Sequence, residues 1–122
     1  MSIKKVLIVD DELLLLELLS EMLDQYICFT ASHLKQVDDI LKEEDIDVIL
    51  CDVVMPGGGG IELFQKLKEN APQVAQRLIF ITGGSTNRES QDFLQKTDLP
   101  VIYKPFRAKD ILSAFSRLED LK

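Results

Sequence analysis

The sequence predicts a three-layer, doubly wound α/β sandwich built on a parallel sheet of five strands. Five short apolar runs alternate with segments of helical periodicity, and the runs are continuous rather than alternating in hydrophobicity. A continuous apolar run is typical of a strand that helices cover on both faces, as in a parallel sheet. A chain of 122 residues is long enough to bury its own core. We therefore expect residues 1–122 to form a single domain.

Each predicted strand is followed by a predicted helix. The strands occupy residues 6–9, 27–29, 48–51, 78–81 and 101–103. In the first helix, the core-facing spacing i, i+3, i+4, i+7, i+8 is formed by Leu15, Leu18, Leu19, Met22 and Leu23. The later helices cover residues 34–42, 61–68, 88–96 and 109–121. Residues typical of turns separate the elements around positions 57–60, 70–72, 83–84 and 98–100.

The composition is that of a globular protein with an excess of negative charge. Hydrophobic residues make up 46% of the chain and charged residues 29%, and the net charge is −7. An acidic chain repels phosphate backbones, so we expect no nucleic-acid partner. We also expect neither a signal peptide nor a membrane anchor, because no stretch approaches roughly 18 uninterrupted apolar residues. Cys28 and Cys51 read as free thiols, which favours the cytoplasm.

Polar residues follow four of the five predicted strands at the point where each strand ends. Asp10 and Asp11 follow the first strand, Asp52 the third, Thr82 the fourth and Lys104 the fifth. The carboxyl ends of parallel strands lie along the same edge of a sheet, where open α/β sheets bind their ligands. We therefore expect these five side chains to meet in one site.

Each of these residues alone has an ordinary structural explanation. Asp10 or Asp11 could cap the first helix, because aspartate is a favoured N-cap residue. Capping does not explain Asp52, since Met55, Pro56 and a run of glycines separate it from the next helix. The combination favours a functional site over separate structural roles.

The predicted site carries more negative charge than one lysine can balance. Asp10, Asp11 and Asp52 oppose the single ammonium group of Lys104. Crowded carboxylates raise one another's pKa values, whereas a divalent cation neutralises them. Carboxylate oxygens and water suit hard Mg²⁺ better than zinc or copper, which prefer histidine and cysteine. The sequence therefore predicts a magnesium site that leaves room for a phosphate oxygen.

These residues and their order resemble the receiver domains of two-component signalling, over essentially the whole chain. Asp10 and Asp11 match the acidic pair of that family, Asp52 its phospho-acceptor, Thr82 its switch hydroxyl and residues 104–106 its lysine motif. The resemblance implies the flavodoxin-like strand order 2-1-3-4-5. It also implies that Asp52 accepts a phosphoryl group from a histidine kinase or a histidine phosphotransfer protein in a Mg²⁺-dependent reaction, and that phosphorylation switches the conformation.

The resemblance also implies how the metal is held. Asp11 and Asp52 would bind Mg²⁺ directly, together with the backbone carbonyl of Val54, and Asp10 would act through coordinated water. These are all oxygen ligands, as Mg²⁺ prefers.

Thr82 and Lys104 would each contact one oxygen of the phosphoryl group, on the same resemblance. Phosphoryl transfer needs little beyond positioning and charge neutralisation. Such a domain is a signalling phospho-acceptor that catalyses only its own phosphorylation and dephosphorylation. The family also implies a cis peptide bond between Lys104 and Pro105.

Several positions depart from the pattern of the family. Receivers commonly carry an aromatic residue three positions before the lysine, where this chain has Val101. We expect Tyr103, on the same strand face, to pack rather than to switch. The positions two after the acceptor and two after the switch hydroxyl are Val54 and Gly84, and neither side chain can orient an attacking water. We therefore predict no strongly accelerated autodephosphorylation.

Three smaller signals lie outside the predicted site. Three leucines of the first helix lie outside its core-facing stripe: Leu13, Leu14 and Leu16. They could form a docking surface for a kinase helix bundle, or they could be present simply because leucine is a good helix former. Residues 57–60 lack the Lys-Ser/Thr of a phosphate-binding loop, so we expect a mobile connection. His33 has no partner ligands and is expected on the surface.

Other functions remain open at this stage. A phosphatase or phosphotransferase with an aspartyl intermediate would carry a DxD motif after the first strand, which residues 10–12 do not supply. A flavin-binding or purely structural domain would not need carboxylates at that position. Gly83, Gly84 and residues 99–106 are similar to receivers fused to sensor kinases, so a receiver cut from a hybrid kinase is a further alternative. We expect no output domain within this chain.

Overall fold

The computed structural model describes residues 2–84 and 87–120, which form one parallel sheet of five strands. The strands are β1 (Lys5–Val9), β2 (Ile27–Ala31), β3 (Val48–Asp52), β4 (Leu78–Thr82) and β5 (Val101–Tyr103). They lie in the order β2-β1-β3-β4-β5, and every neighbouring pair is parallel. The predicted fold class and strand order are therefore confirmed.

Helices connect the strands and cover both faces of the sheet. They are α1 (Leu13–Met22), α2 (Leu34–Glu43), α3 (Gly60–Asn70), α4 (Pro72–Ala75), α5 (Arg88–Lys96) and α6 (Ala108–Asp120). The chain passes from β1 to β2 in one direction and from β2 onward in the opposite direction. Because such crossovers are right-handed, α1 lies on one face and the helices between β2 and β5 lie on the other.

The five predicted helices are all present. The structure adds α4, a single turn where the sequence indicated only a break, and Pro72 stands in its first turn, where the missing N–H of proline costs nothing. The predicted end of the last helix, at Leu121, lies outside the described residues. Within residues 2–84 and 87–120, no helix is long and apolar enough to cross a lipid bilayer.

The core lies between the sheet and its helices. Every residue of β3 and β4 is buried, as the continuous apolar runs predict, whereas the edge strand β2 exposes Ile27. Phe80 of β4 contacts two rings edge to face, Phe64 of α3 at 6.1 Å and Phe93 of α5 at 5.6 Å between centroids. These rings attach two helices to the strand that ends at Thr82.

The predicted register of α1 is wrong at two positions. Leu18 was assigned to the core but is 50% exposed, and Leu16 was assigned to the surface but is only 6% exposed. The core side is formed by Leu16, Leu19 and Leu23. Leucines occupy most positions between 13 and 19, so the apolar pattern does not define which side of the helix faces the sheet.

Both cysteines are free thiols, as predicted. Cys28 lies on β2 and Cys51 on β3, and β1 separates these two strands. Burial raises the pKa of both thiols, so neither is a reactive thiolate at neutral pH.

Candidate functional site

The ends of four strands bring the predicted side chains to one edge of the sheet. Asp52 and Thr82 are the last residues of β3 and β4. Main-chain hydrogen bonds extend the ladder past the other two strands. The N–H of Asp10 donates to the carbonyl of Ala31 (3.1 Å), and the N–H of Lys104 donates to the carbonyl of Thr82 (2.9 Å). These main-chain hydrogen bonds therefore fix the positions of the Asp10 and Lys104 backbones at this edge of the sheet.

The ammonium group of Lys104 lies among three carboxylates. Its Nζ is 3.5 Å from Oδ2 of Asp52, 3.8 Å from Oδ2 of Asp10 and 3.9 Å from Oε1 of Glu12. The peptide bond between Lys104 and Pro105 is cis, as predicted. Lys104 is thus the positive group of the site, and more than one negative group shares it.

Asp10 is the most deeply buried carboxylate of the site, with 1% of its surface exposed. Its Oδ1 accepts a hydrogen bond from the N–H of Glu12 (2.9 Å), but its Oδ2 has no hydrogen-bond partner among the described residues. Burial raises the pKa of Asp10 to about 6; the N–H of Glu12 opposes this shift and the charge of Asp52 adds to it. A buried carboxylate oxygen without a donor is costly, and a bound cation would satisfy it.

Three carboxylates at this edge could hold a metal ion. Asp10, Asp11 and Asp52 each offer an oxygen, and the three oxygens lie within 4.8 Å of one another. Asp10 and Asp52 are buried and Asp11 is exposed, so the cluster opens to water on one side. An all-oxygen set with access for water fits a hard divalent cation such as Mg²⁺. The Oδ2 of Asp10, which accepts no hydrogen bond from the described residues, supports the same conclusion.

Val54 and Thr82 flank the acceptor position. The N–H of Val54 donates to Oδ1 of Asp52 (3.3 Å), which brings the Val54 peptide close to the acidic cluster; its carbonyl as a metal ligand stays a prediction. Thr82 is buried, and its Oγ1 accepts a hydrogen bond from the N–H of Gly84 (3.1 Å). The predicted site residues are therefore gathered at one edge, as their strand ends require.

The glycines after Asp52 are needed by the backbone. Gly57 and Gly58 have φ angles of 81° and 125°, which side chains rarely adopt. A Cβ atom on Gly59 would clash with the carbonyl of Val53, so only glycine fits there. The mobility predicted for residues 57–60 stays a prediction. Their geometry gives an independent reason for glycine, because the chain must turn tightly between Asp52 and α3.

A family model for the response regulator receiver domain matches residues 6–116, most of the chain. The chain belongs to the response regulator receiver family. Receiver domains of two-component systems interact with histidine kinases or phosphotransfer proteins.

Individual relatives agree with this family. The receiver is 31% identical over 121 residues to sporulation initiation phosphotransferase F of Bacillus subtilis, covering 98% of this chain and 96% of that protein. It is 30% identical over 112 residues to the phosphate regulon regulator PhoB of Pseudomonas aeruginosa, covering 90% of this chain. It spans 49% of the length of PhoB, and 63% and 23% of two further curated relatives.

A solved structure also matches over nearly the whole receiver. It is the beryllofluoride-activated receiver domain dimer of NtrC4, with 31% sequence identity and a TM-score of 0.80. The match covers 98% of this chain and 100% of that chain. The fold of the NtrC4 receiver domain therefore agrees with the fold described above.

The aromatic position of this receiver departs from the sequence prediction. Val101 is partly buried on β5, but Tyr103 is 58% exposed. The prediction that Tyr103 packs is therefore wrong, and the prediction that it does not switch stays a prediction. Its side chain borders a cavity of about 210 Å³ that Thr82 and Leu94 also line. The strand β5 is only three residues long and Tyr103 is its last residue, so little of the protein covers this side chain.

Apolar side chains are exposed beside the acidic cluster. Leu13 and Leu14 of α1 are 68% and 81% exposed, as predicted, and Val54 is 55% exposed. Leu16, which was predicted to join them, is buried. His33 is exposed at the start of α2, as predicted. An exposed apolar group at the mouth of a charged site is suited to contact with another protein.

Sequence reasoning missed Glu12. Its carboxylate approaches Lys104, although of the acidic residues that follow the first strand only Asp10 and Asp11 were assigned to the site. The available signal was its position directly after the acidic pair, ahead of the first helix.

Proposed function

We propose that this receiver accepts a phosphoryl group on Asp52 from a histidine kinase or a histidine phosphotransfer protein, with Mg²⁺ bound, and switches conformation to control an output. The observation that carries the proposal is the pairing of Asp52 with Lys104 beside Oδ2 of Asp10, a buried oxygen that accepts no hydrogen bond from the described residues. This arrangement places a nucleophile, Asp52, next to a positive counter-charge, Lys104, and next to a carboxylate that could bind a cation, Asp10.

In the proposed transfer, an oxygen of Asp52 attacks the phosphorus atom of a phosphohistidine. The bond from phosphorus to the imidazole nitrogen breaks, and the nitrogen keeps the electron pair and takes up a proton. Lys104 compensates charge on a phosphoryl oxygen, since its Nζ already lies 3.5 Å from Asp52. Thr82 donates its hydroxyl to another oxygen. Positioning and charge neutralisation account for most of catalysis in phosphoryl transfer.

The cation would be held by Asp11, Asp52 and the backbone carbonyl of Val54, and Asp10 would act through coordinated water. When bound, Mg²⁺ supplies positive charge next to the transferred oxygens. Asp52 is held for this purpose by the N–H of Val54 (3.3 Å). Asp10 is positioned by the N–H of Glu12 (2.9 Å), so a backbone donor holds each of these two carboxylates.

The phosphoryl group adds negative charge at the end of β3, next to the strand that ends at Thr82. A threonine hydroxyl that turns toward the new oxygens would exchange its present bond with Gly84 (3.1 Å) for one to phosphate. That exchange would release Gly84, and α5 packs on the sheet through Leu94 and Phe93. We propose that α5 and β5 form the switching surface.

The donor protein docks on the apolar surface beside the site, which consists of Leu13, Leu14 and Val54. These side chains lie next to the acidic cluster, so a helix bundle that contacts them can bring its phosphohistidine to Asp52. We propose the cytoplasm as the compartment, because the free thiols Cys28 and Cys51 suit a reducing environment. The chain as a whole is proposed to be one receiver domain.

Acetyl phosphate tests the proposal without a cognate kinase. The wild-type protein is expected to gain the mass of one phosphoryl group when Mg²⁺ is present and none when it is chelated. Asp52→Asn removes the nucleophile and is expected to gain nothing. Asp39→Asn, which changes an exposed carboxylate on α2, serves as the matched control and should behave as wild type. Equal labelling of Asp52→Asn and wild type would contradict the proposal.

A further inference from the structure

Glu12 directly precedes α1, and its side chain approaches the site rather than capping the helix. As the N-cap residue, it makes no side-chain capping hydrogen bond. Its backbone N–H donates to Oδ1 of Asp10 (2.9 Å), which fixes the start of the helix beside the acidic cluster. From there its carboxylate reaches to 3.9 Å from Nζ of Lys104, and 68% of the side chain stays exposed.

The ammonium group of Lys104 is shared rather than held by one partner. Its distances of 3.5, 3.8 and 3.9 Å to Asp52, Asp10 and Glu12 all exceed the roughly 2.7–2.9 Å of a tight charge-assisted hydrogen bond. Asp10 and Asp52 also belong to the group of oxygens that could hold a metal, whereas Glu12 does not. Of the three carboxylates around Lys104, Glu12 is therefore the one that contacts the lysine without also belonging to the possible metal site.

We infer that Glu12 is a positioning residue that competes with a phosphoryl group on Asp52 for the Lys104 ammonium and so weakens the phosphorylated state. The inference rests on the proposed function. A phosphoryl group on Asp52 needs the ammonium of Lys104 as its counter-charge, and the Glu12 carboxylate competes for that ammonium. Glu12 also places a negative charge at the open side of the site, where an incoming phosphoryl group is negative too.

Beryllium trifluoride, which forms a phosphoryl-like adduct on a carboxylate, tests the inference. Glu12→Gln keeps the shape of the side chain and removes its charge. In the presence of Mg²⁺ and at low ionic strength, this variant is expected to bind beryllium trifluoride about two- to fivefold more tightly than wild type, as measured by calorimetric titration. The difference should shrink at high salt, because salt screens exposed charges. A merely structural role of Glu12 would not respond to salt in this way.

Glu17→Gln is the matched control, since it removes the same charge from an exposed position of α1 and should bind as wild type does. Thermal unfolding checks that both variants are folded. If Glu12→Gln binds beryllium trifluoride as tightly as wild type or more weakly, the inference is overturned. The proposed function still stands in that case, provided that the wild-type protein binds beryllium trifluoride. A wild-type protein that does not bind beryllium trifluoride with Mg²⁺ contradicts the proposed function, and the inference with it.

Discussion

The ammonium nitrogen of Lys104 lies 3.5 Å from Oδ2 of Asp52, although 52 positions separate these residues in the sequence. Asp52 ends β3, and Lys104 follows β5, with β4 between the two strands. The N–H of Lys104 donates a hydrogen bond to the carbonyl of Thr82 at the end of β4 (2.9 Å), which places the lysine level with the ends of the neighbouring strands. Strand pairing alone therefore brings the acceptor and its counter-charge together.

Removing this counter-charge should weaken the phosphorylated state. Lys104→Met keeps most of the side-chain length, and we expect it to bind beryllium trifluoride about tenfold to one hundredfold more weakly, because a charge-assisted contact contributes about 1.5–3 kcal/mol. Calorimetric titration with Mg²⁺ present measures the loss. Lys35→Met, at an exposed position of α2, should match wild type. Equal affinities of Lys104→Met and wild type would contradict the role of Lys104.

Asp10 should make the metal-free protein less stable as the pH rises toward neutrality. Burial raises its pKa to about 6 from an ordinary value of 3.8, so between these values the folded protein binds more protons than the unfolded chain. The free energy of unfolding therefore falls as the pH rises through this window, and the whole cost, about 3 kcal/mol, is present above about pH 6. Urea denaturation with chelated metals, repeated across the window, measures this fall.

Asp10→Asn removes the titrating group, so its stability should not show this fall. At neutral pH without metal, we expect the variant to be more stable than wild type by about 1–3 kcal/mol. Asp39→Asn, which alters an exposed carboxylate, should keep the wild-type pH profile. If Asp10→Asn loses stability with rising pH as steeply as wild type, Asp10 is not the source of the effect.

Gly59→Ala should destabilise the protein more than Gly57→Ala. A Cβ atom at position 59 clashes with the backbone carbonyl of Val53, whereas no atom of the described residues lies within 4 Å of one at position 57. The second variant bears only the cost of a positive φ, about 1–2 kcal/mol. The first forces the chain after Asp52 to move, at a cost of about 3 kcal/mol. Urea denaturation compares the two, and the reverse order would show that the turn is looser than described.

The apolar surface beside the site should matter for the donor protein but not for a small phosphodonor. Leu14→Lys changes a side chain that is 81% exposed, so the fold should tolerate it. We expect phosphotransfer from the cognate kinase to slow about tenfold, while labelling by acetyl phosphate is unchanged. Ile27→Lys is the control, since Ile27 is also exposed but begins β2, away from the carboxyl ends of the strands. Similar slowing by both variants would argue against docking at Leu14.

Much of the fold and of the candidate site could be predicted because both depend on strand ends. Asp52, Thr82 and Lys104 each come at the end of a continuous apolar run, so a parallel topology places them together without knowledge of any contact. The order of the strands came from the family resemblance, since apolar runs alone do not say which strands are neighbours.

Other features could not be predicted for physical reasons. The side of α1 that faces the sheet was misjudged at Leu16 and Leu18, because a helix with leucine at most positions has no clear apolar face. The exposure of Tyr103 depends on how little covers the end of the short strand β5. The approach of Glu12 to Lys104 depends on side-chain reach, which the sequence pattern does not encode.

The identity of the phosphorylated residue is the most direct test of the account. Borohydride reduces an aspartyl phosphate to homoserine, a stable mark that peptide mass spectrometry can locate after the protein has reacted with a phosphodonor. The account predicts homoserine at position 52 when Mg²⁺ is present and no mark when it is chelated. A mark at Asp10 or Asp11 instead, or the same mark at position 52 without Mg²⁺, would contradict it.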